Sequence, residues 1–218
     1  MRLSSDERRL EIVKAVLDLA GERGPDAITT QAIADHIGVT QGALFRHFPD
    51  KEAMWLAVFE WVRVALGAAF DAAVAEARSP IDKLERAFVA HVAFVAAHPG
   101  VAKALFHELQ YPADSRVRVA VREMVGGYRA RLSALLESAK AAGELPASLD
   151  ATLAAVLFVG AVQGLVIDAT LRRRGAQVAR DAHRMFALLL GGWRGGPPAR
   201  TLTRATTRTS RAARRATR

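Results

Sequence analysis

The segment from Thr29 to Lys51, TTQAIADHIGVTQGALFRHFPDK, constrains the fold of this chain more than any other. Its apolar residues recur at helical spacing on both sides of Gly38, and Pro49 interrupts the pattern before another helix begins. Because glycine takes a positive φ without strain, Gly38 predicts a tight turn between two short helices. Ala34, four residues earlier, is small enough to let those helices cross closely. The segment therefore predicts a helix-turn-helix.

The two faces of this motif differ in composition. An inward, packed face is predicted for its apolar residues, which are Ile33, Ala34, Ile37, Leu44 and Phe48. Thr29 and Thr40 stand where a hydroxyl caps the start of a helix. The outward face of the second helix carries Gln41, Gly42, Ala43, Phe45 and Arg46, with His47 at its end. We expect that face to lie in a groove of a partner molecule.

These residues resemble the DNA-binding domain of TetR-type transcriptional regulators. The chain has IADHIGV where the family has IAxxxGV, GALFRHF where the family has GxLYxHF, and the "KE" start of the following helix at Lys51. The resemblance is continuous over roughly a fifth of the chain. Two positions depart from the family pattern. Phe45 replaces a usual Tyr, which removes a phenol that would bind phosphate, and Ala20 replaces a usual Phe in the first helix.

The resemblance implies a homodimer that binds a pseudo-palindrome in double-stranded DNA. The DNA-contacting residues that it implies are Thr29, Thr30, Thr40, Gln41, Gly42, Ala43, Phe45, Arg46, His47 and Lys51. We expect Gln41 to hydrogen-bond a base edge, most naturally adenine, and Ala43 to contact a thymine methyl group. Phosphate contacts are expected from Thr29, Thr40, Arg46, His47 and Lys51.

The net charge of +9 cannot support this interpretation, because most of it lies elsewhere. Residues 1–52 hold seven Lys and Arg against nine Asp and Glu, and residues 53–194 hold seventeen against thirteen. The remaining seven Arg lie in residues 195–218, which contain no acid and begin with Gly-Gly-Pro-Pro. Such a composition cannot bury enough surface to offset its conformational entropy, so the tail is predicted to be disordered.

Helical periodicity continues along the whole chain and predicts an all-α fold with about nine helices. We divide the chain into a three-helix DNA-binding domain at residues 1–52, a larger ligand-binding and dimerisation bundle at residues 53–194, and the Arg-rich tail at residues 195–218. The chain has no Cys, so disulfides and thiolate sites are excluded. Its charged N-terminus does not resemble a signal peptide, which favours the cytoplasm.

The stretch from Thr152 to Ile167 is nearly all apolar and raises the question of a membrane span. It is shorter than the roughly 18 to 20 residues that a span needs, contains Gln163 and ends before Asp168. An apolar helix in a soluble protein is covered on every side, so we predict that a second copy covers one face. The predicted dimer interface contains Leu153, Leu157, Gly160, Gly164, Ile167 and Leu171. The alternative is an internal core helix.

An effector pocket inside the bundle is a further implication of the resemblance. The residues predicted to line it are Trp61, Phe88, His91, Phe94, His107 and Tyr111, which would form a largely apolar cavity with a few polar groups. Residue by residue, ordinary core packing is the stronger explanation, because an aromatic or His residue on a helix stripe more often belongs to the core than to a ligand site.

No pattern indicates an enzyme: the six His lack HxxxH spacing, and no GxxxxGK loop is present. We therefore predict no catalytic residues, no metal and no cofactor. The predicted function is a sequence-specific DNA-binding transcriptional regulator, and we expect it to be a repressor that a small apolar effector releases from its operator. Two alternatives remain. One is a nucleoid or division factor of the same fold without an effector, and the other is a protein that binds membrane surfaces through its basic tail.

Overall fold

The computed structural model describes residues 4–112, 114–172 and 177–195, and every regular element in these ranges is helical. The nine α-helices are α1 (Ser5–Arg23), α2 (Thr30–His36), α3 (Gln41–Phe45), α4 (Lys51–Val74), α5 (Pro80–Ala97), α6 (Pro99–Glu108), α7 (Arg116–Ala141), α8 (Ala151–Leu171) and α9 (Val178–Arg194). The predicted all-α fold is confirmed for this part of the chain. The predicted disordered tail, apart from Gly195, lies outside the described residues.

Local sequence signals explain where most helices begin. Side-chain oxygens accept hydrogen bonds from backbone N–H groups in the first turn of seven helices, and the capping residues are Ser4, Thr29, Thr40, Asp50, Ser79, Ser115 and Asp150. Ser4 and Glu7 form a reciprocal capping box. Glycines with positive φ follow α1, α2 and α7, at Gly24, Gly38 and Gly143.

The N-terminal helices form a small core that is continuous with the start of α4. Ile12 and Leu19 of α1, Ile33 of α2, Leu44 of α3 and Phe48 are each almost completely buried. Residues of α1 therefore supply most of the apolar surface on which the short helices α2 and α3 rest. Short helices have little stability of their own, and this packing is what stabilises them.

Helix α6 joins this small domain to the rest of the chain. It turns away from α5 by 87° at Pro99 and packs along α1. The approach is close at Gly100, where an added Cβ would lie 2.0 Å from the Leu17 carbonyl oxygen. Lys103 donates a hydrogen bond from Nζ to the carbonyl oxygen of Gly21. The contact between α1 and α6 thus depends on a residue without a side chain.

The remaining helices form a bundle with α5 at its centre, in contact with α4, α7, α8 and α9. Phe88 of α5 lies between Phe158 of α8 and Phe186 of α9, with ring centroids 5.0 Å and 5.8 Å away. Helices α4 and α7 run side by side in the same direction. Two ion pairs show this: Glu52 pairs with Arg116 near the starts of the helices, at 3.4 Å, and Asp71 pairs with Arg131 further along. The bundle interior is filled with aromatic and aliphatic side chains.

The argument that the apolar segment is too short to span a membrane is wrong. Its helix, α8, has 21 residues because it extends beyond Thr152 and Ile167 at both ends. By length and composition alone, α4 and α8 are both long and apolar enough to cross a membrane. In the structure α8 packs instead against α5, α7 and α9 along one side. The residues buried there include Ala154, Ala155, Phe158, Val162 and Leu165.

Candidate functional site

The helix-turn-helix has the geometry that its sequence predicts. The hydroxyl of Thr29 accepts from Ala32 N at 3.0 Å, and the hydroxyl of Thr40 accepts from Ala43 N at 3.2 Å. Both predicted caps are confirmed. Gly38 adopts φ of +68°, which confirms the predicted turn. Helix α3 has only 5 residues, about one and a half turns, and Leu44 is its one buried residue.

None of the ten residues predicted to contact DNA is buried. Exposed among them are Thr29, Thr40, Gly42, Phe45, Arg46 and Lys51, whereas Thr30, Gln41, Ala43 and His47 are half-buried. The side-chain amide of Gln41 donates to the hydroxyl of Thr30, which holds the amide in one position. Helix α3 ends at Phe45, so Arg46 and His47 lie in the turn that follows it. Phe45 leaves 43% of its surface exposed.

Arg9 is a neighbour of these residues that the sequence interpretation missed. Its guanidinium lies 4.2 Å above the ring of Phe48 and donates a hydrogen bond to the carbonyl oxygen of His47. The contact joins α1 to the turn that follows α3 and positions His47. Arg8, one residue earlier, lines a groove of about 540 Å³ with Arg46 and His47. No local pattern reveals these contacts, because the partners are 38 residues apart in the chain.

A second surface of interest is the exposed side of α8 and α9, which we call the α8–α9 face. All six residues predicted for a dimer interface are exposed on α8: Leu153, Leu157, Gly160, Gly164, Ile167 and Leu171. Leu171 is 79% exposed, and Leu188 of α9, on the same face, is 73% exposed. A Cβ added to Gly160 or Gly164 would meet nothing within 4 Å. This apolar stripe has no cover within the described residues.

The α8–α9 face also contains a shallow apolar pocket of about 520 Å³. It is lined by Leu153 and Leu157 from α8 and by Leu188 and Trp193 from α9, among others. The indole Nε1 of Trp193 is buried and has no hydrogen-bond partner among the described residues. An apolar pocket on an exposed helix face is suited to receive part of another helix.

The six residues predicted to line an effector pocket have different packing neighbours. Phe88 is enclosed by Phe158 and Phe186. Phe94 stacks on Trp61 at 6.1 Å. His107 and Tyr111 contact each other near the end of α6, where Tyr111 is exposed.

His107 also lies close to Asp26, which belongs to the segment between α1 and α2. Its Nδ1 lies 3.4 Å from Asp26 Oδ1, close enough for an ion pair but without the geometry of a hydrogen bond. Of the six predicted residues, His91 packs against Tyr128, which lines an open groove.

That groove lies between α4 and α7, and we call it the α4–α7 groove. Its volume is about 490 Å³, and its lining residues include Arg63, Gly67 and Asp71 from α4 and Met124, Gly127, Tyr128 and Arg131 from α7. Tyr128, one of these lining residues, packs edge to face with His91 of α5, with 4.9 Å between the ring centroids. The hydroxyl of Tyr128 and Nδ1 of His91 are both buried without hydrogen-bond partners in the described part of the chain.

Burial sets the charge state of this pair. Desolvation lowers the pKa of His91 to about 4 and raises the pKa of Tyr128, so both side chains are neutral near pH 7. At the mouth of the groove, Arg131 pairs with Asp71 and lies 4.1 Å above the ring of Phe70. Tyr128 was missed in the sequence because it belongs to the regular apolar stripe of α7.

Comparisons with known proteins agree with this architecture. Residues 12–58 match the family described as bacterial regulatory proteins, tetR family, and residues 77–167 match the tetracyclin repressor-like C-terminal domain. The nucleoid occlusion factor SlmA of Marinomonas sp. (strain MWYL1) is 25% identical over 167 residues, which are 76% of this chain and 84% of that protein.

Solved structures share the fold over most of the chain. The fatty acid degradation regulator FadR from Bacillus halodurans superposes with a TM-score of 0.76 at 22% identity, covering 89% of this chain and 99% of that one. The FadR of Bacillus subtilis, in complex with stearoyl-CoA, superposes with a TM-score of 0.73 at 20% identity, covering 84% and 98%. At these identities the likeness establishes the fold alone.

Proposed function

The chain belongs to the TetR family of bacterial transcriptional regulators, and on that basis we propose that it is a homodimeric repressor released from its operator by a small, largely apolar effector. The observation that carries this proposal is the exposed surface of α3, presented on a buried core. We place the protein in the cytoplasm, where its DNA is.

On DNA, we propose that α3 enters the major groove. Gln41 then exchanges its hydrogen bond with Thr30 for one with a base edge, and Ala43 contacts a thymine methyl group. Phosphates are bound by Arg46, His47 and Lys51, and by the hydroxyls of Thr29 and Thr40. Gly42 lets the backbone approach the DNA. These contacts divide into base readout and backbone positioning, and mutation separates the two.

The α8–α9 face is the proposed dimer interface. An uncovered stripe of Leu and Ile along a whole helix is a hydrophobic patch of the kind that marks a protein interface. Gly160 and Gly164 allow the partner helix to approach, because no atoms stand over them. For the two recognition helices to enter successive major grooves, pairing through this face must hold them about 34 Å apart, one turn of DNA.

Regulation requires that the effector changes the distance between the two recognition helices. Helix α4 connects the effector and dimerisation domain with the DNA-binding domain. We assign residues 1–52 to the DNA-binding domain and residues 53–194 to the effector and dimerisation domain, and α4 crosses that boundary without a break. Lys51 is at its DNA end, while Gly67 and Asp71 line the α4–α7 groove. An effector in this groove weakens DNA binding only if it binds the off-DNA arrangement more tightly.

The proposal is tested by sequencing the genomic fragments that the protein retains. We expect a small set of pseudo-palindromic sites, and we expect Gln41→Ala to retain a wider range of sequences while Lys51→Ala retains the same range more weakly. Retention of unrelated fragments by both the wild-type protein and Gln41→Ala would refute sequence-specific regulation. The natural effector is then sought by the release of the selected DNA.

A second candidate function is supported by the SlmA relatives, which are named nucleoid occlusion factors. On this alternative the chain binds many chromosomal sites and has no small-molecule effector. Two results distinguish it: the retained fragments would be spread over the chromosome, and no compound that occupies the α4–α7 groove would release them. Release of DNA by a groove ligand favours the repressor.

A further inference from the structure

Two grooves of opposite charge lie on the two sides of helix α1. One, of about 540 Å³, lies between α1 and α3, and we call it the α1–α3 groove. Its lining includes Arg8 and Arg46, and none of the described residues that line it is acidic. The other groove, of about 550 Å³, has three acidic residues in its lining, which are Glu7, Glu11 and Asp18. The nine acidic and seven basic residues of residues 1–52 are therefore unevenly distributed over the domain.

The two arginines of the α1–α3 groove are available to an anion. Arg8 has a carboxylate partner in Glu11, three residues further along α1. The side chains of this pair are 28% and 37% exposed, and an ion pair in contact with water contributes little, because water screens it. Arg46, on the opposite wall, is exposed and forms no ion pair within the described residues. An anion in the groove would therefore displace only one weak contact.

Arg9 holds the two walls of the groove together. Its guanidinium lies 4.2 Å from the centroid of the Phe48 ring and donates a hydrogen bond to the carbonyl oxygen of His47. Phe48 and Ile12 are each only 1% exposed, so the base of the groove is packed core. The groove is thus formed before a partner binds, which lowers the entropic cost of binding.

The position of the groove identifies the anion. Its wall opposite α1 contains Ala43, Arg46 and His47, three of the residues proposed to contact DNA. A recognition helix in the major groove lies between the two phosphate backbones that border that groove. Because the α1–α3 groove runs directly beside α3, a DNA backbone that borders α3 passes over it.

We propose that Arg8 of α1 binds a backbone phosphate of the DNA in the α1–α3 groove, together with Arg46. This inference rests on the proposed function only in taking α3 as the recognition helix. None of the ten DNA contacts implied by the family resemblance comes from α1, so Arg8 adds a contact from a further helix. A phosphate contact strengthens and orients binding without reading the base sequence.

Fluorescence anisotropy with a labelled duplex of random sequence, over a series of NaCl concentrations, tests this contact. Arg8→Ala should reduce the magnitude of the slope of log K against log salt by about 0.9 per protomer, or about 1.8 for a dimer. Lys14→Ala is the matched control, because it removes the same charge from α1 at a position that lines the acidic groove. We expect Lys14→Ala and the charge-conserving Arg8→Lys to keep the wild-type slope. An unchanged slope in Arg8→Ala, or an equal reduction in Lys14→Ala, would overturn the proposal.

Release of Arg8 from its carboxylate partner should have the opposite effect. Glu11→Gln should bind the random duplex about threefold more tightly than Asp18→Asn, because it also removes the competing ion pair. Asp18→Asn removes an equal charge from the same acidic groove. The difference should disappear when both substitutions are made in the Arg8→Ala protein. Equal affinities of Glu11→Gln and Asp18→Asn in the wild-type background contradict a phosphate that competes with Glu11.

These results are separable from the test of the proposed function. If the genomic fragments retained by the wild-type protein share no common site, sequence-specific regulation fails, while the slopes on random DNA still decide whether Arg8 binds phosphate. If Arg8→Ala binds the selected site with the wild-type slope, α1 makes no phosphate contact, and the proposed regulator stands.

Discussion

Gly100→Ala should weaken the structure although it replaces glycine in a helix. Alanine normally stabilises a helix relative to glycine by about 0.5 to 1 kcal/mol. At Gly100, however, the new Cβ would lie 2.0 Å from the Leu17 carbonyl oxygen and 2.9 Å from its carbonyl carbon. Both atoms belong to the backbone of α1, so no side-chain rotation relieves the clash. The sign of the substitution is therefore set by the contact between α6 and α1.

The size of the effect follows from the distance. A carbon and a carbonyl oxygen approach to about 3.3 Å at closest, so α6 must move from α1 by about 1.3 Å. Overpacking of this kind costs about 1 to 3 kcal/mol, and an obstacle made of backbone places Gly100→Ala toward the upper end. The displacement also loosens the hydrogen bond from Lys103 to Gly21. We expect a net loss of about 2 kcal/mol in the free energy of unfolding.

Urea denaturation followed by circular dichroism measures this loss, with Gly126→Ala as the matched control. Gly126 is also in a helix, but an added Cβ there meets no atom within 4 Å, so alanine should stabilise the protein by about 0.5 to 1 kcal/mol. The two alanine variants should therefore move the urea midpoint in opposite directions. If Gly100→Ala raises the midpoint as Gly126→Ala does, the close packing of α6 on α1 is refuted.

Three other expectations concern DNA, assembly and pH. Gln41→Ala should lose about 1 to 3 kcal/mol of discrimination at one base pair, and Lys51→Ala should instead reduce the slope of log K against log salt by about 0.9 per phosphate contact; binding assays at several salt concentrations would contradict this if both variants behaved alike. Gly164→Glu should give monomers in analytical ultracentrifugation, because it buries a charge at the dimer interface, while Gly127→Glu on α7 should remain dimeric. Burial lowers the pKa of His91 to about 4, so the unfolded chain binds the proton first and stability should fall by about 3 kcal/mol between pH 6.5 and 4 and stay level above pH 6.5; urea titrations of His91→Phe should lack that fall.

The sequence by itself determined the helix-turn-helix, because the interactions that build it are local. The hydroxyls of Thr29 and Thr40 each accept a hydrogen bond from the backbone N–H three residues ahead. Gly38 makes its turn through its own positive φ. In this motif the signal and the structure it specifies lie within a few residues of each other. The apolar pattern of α8 was also visible in the sequence, but it fitted an internal core helix as well as an exposed stripe, and only the burial of its residues decided between the two.

Tertiary structure alone decided which helices meet and which polar groups are left unpaired between them. Periodicity shows that Tyr128 and Phe88 are on apolar stripes, but it does not show that one borders a groove while the other is enclosed by aromatic rings. The contacts of Arg9 with His47 and of Gly100 with Leu17 were hidden for the same reason. Many helix pairings satisfy the same apolar pattern, and only the fit of specific side chains across the bundle selects one of them.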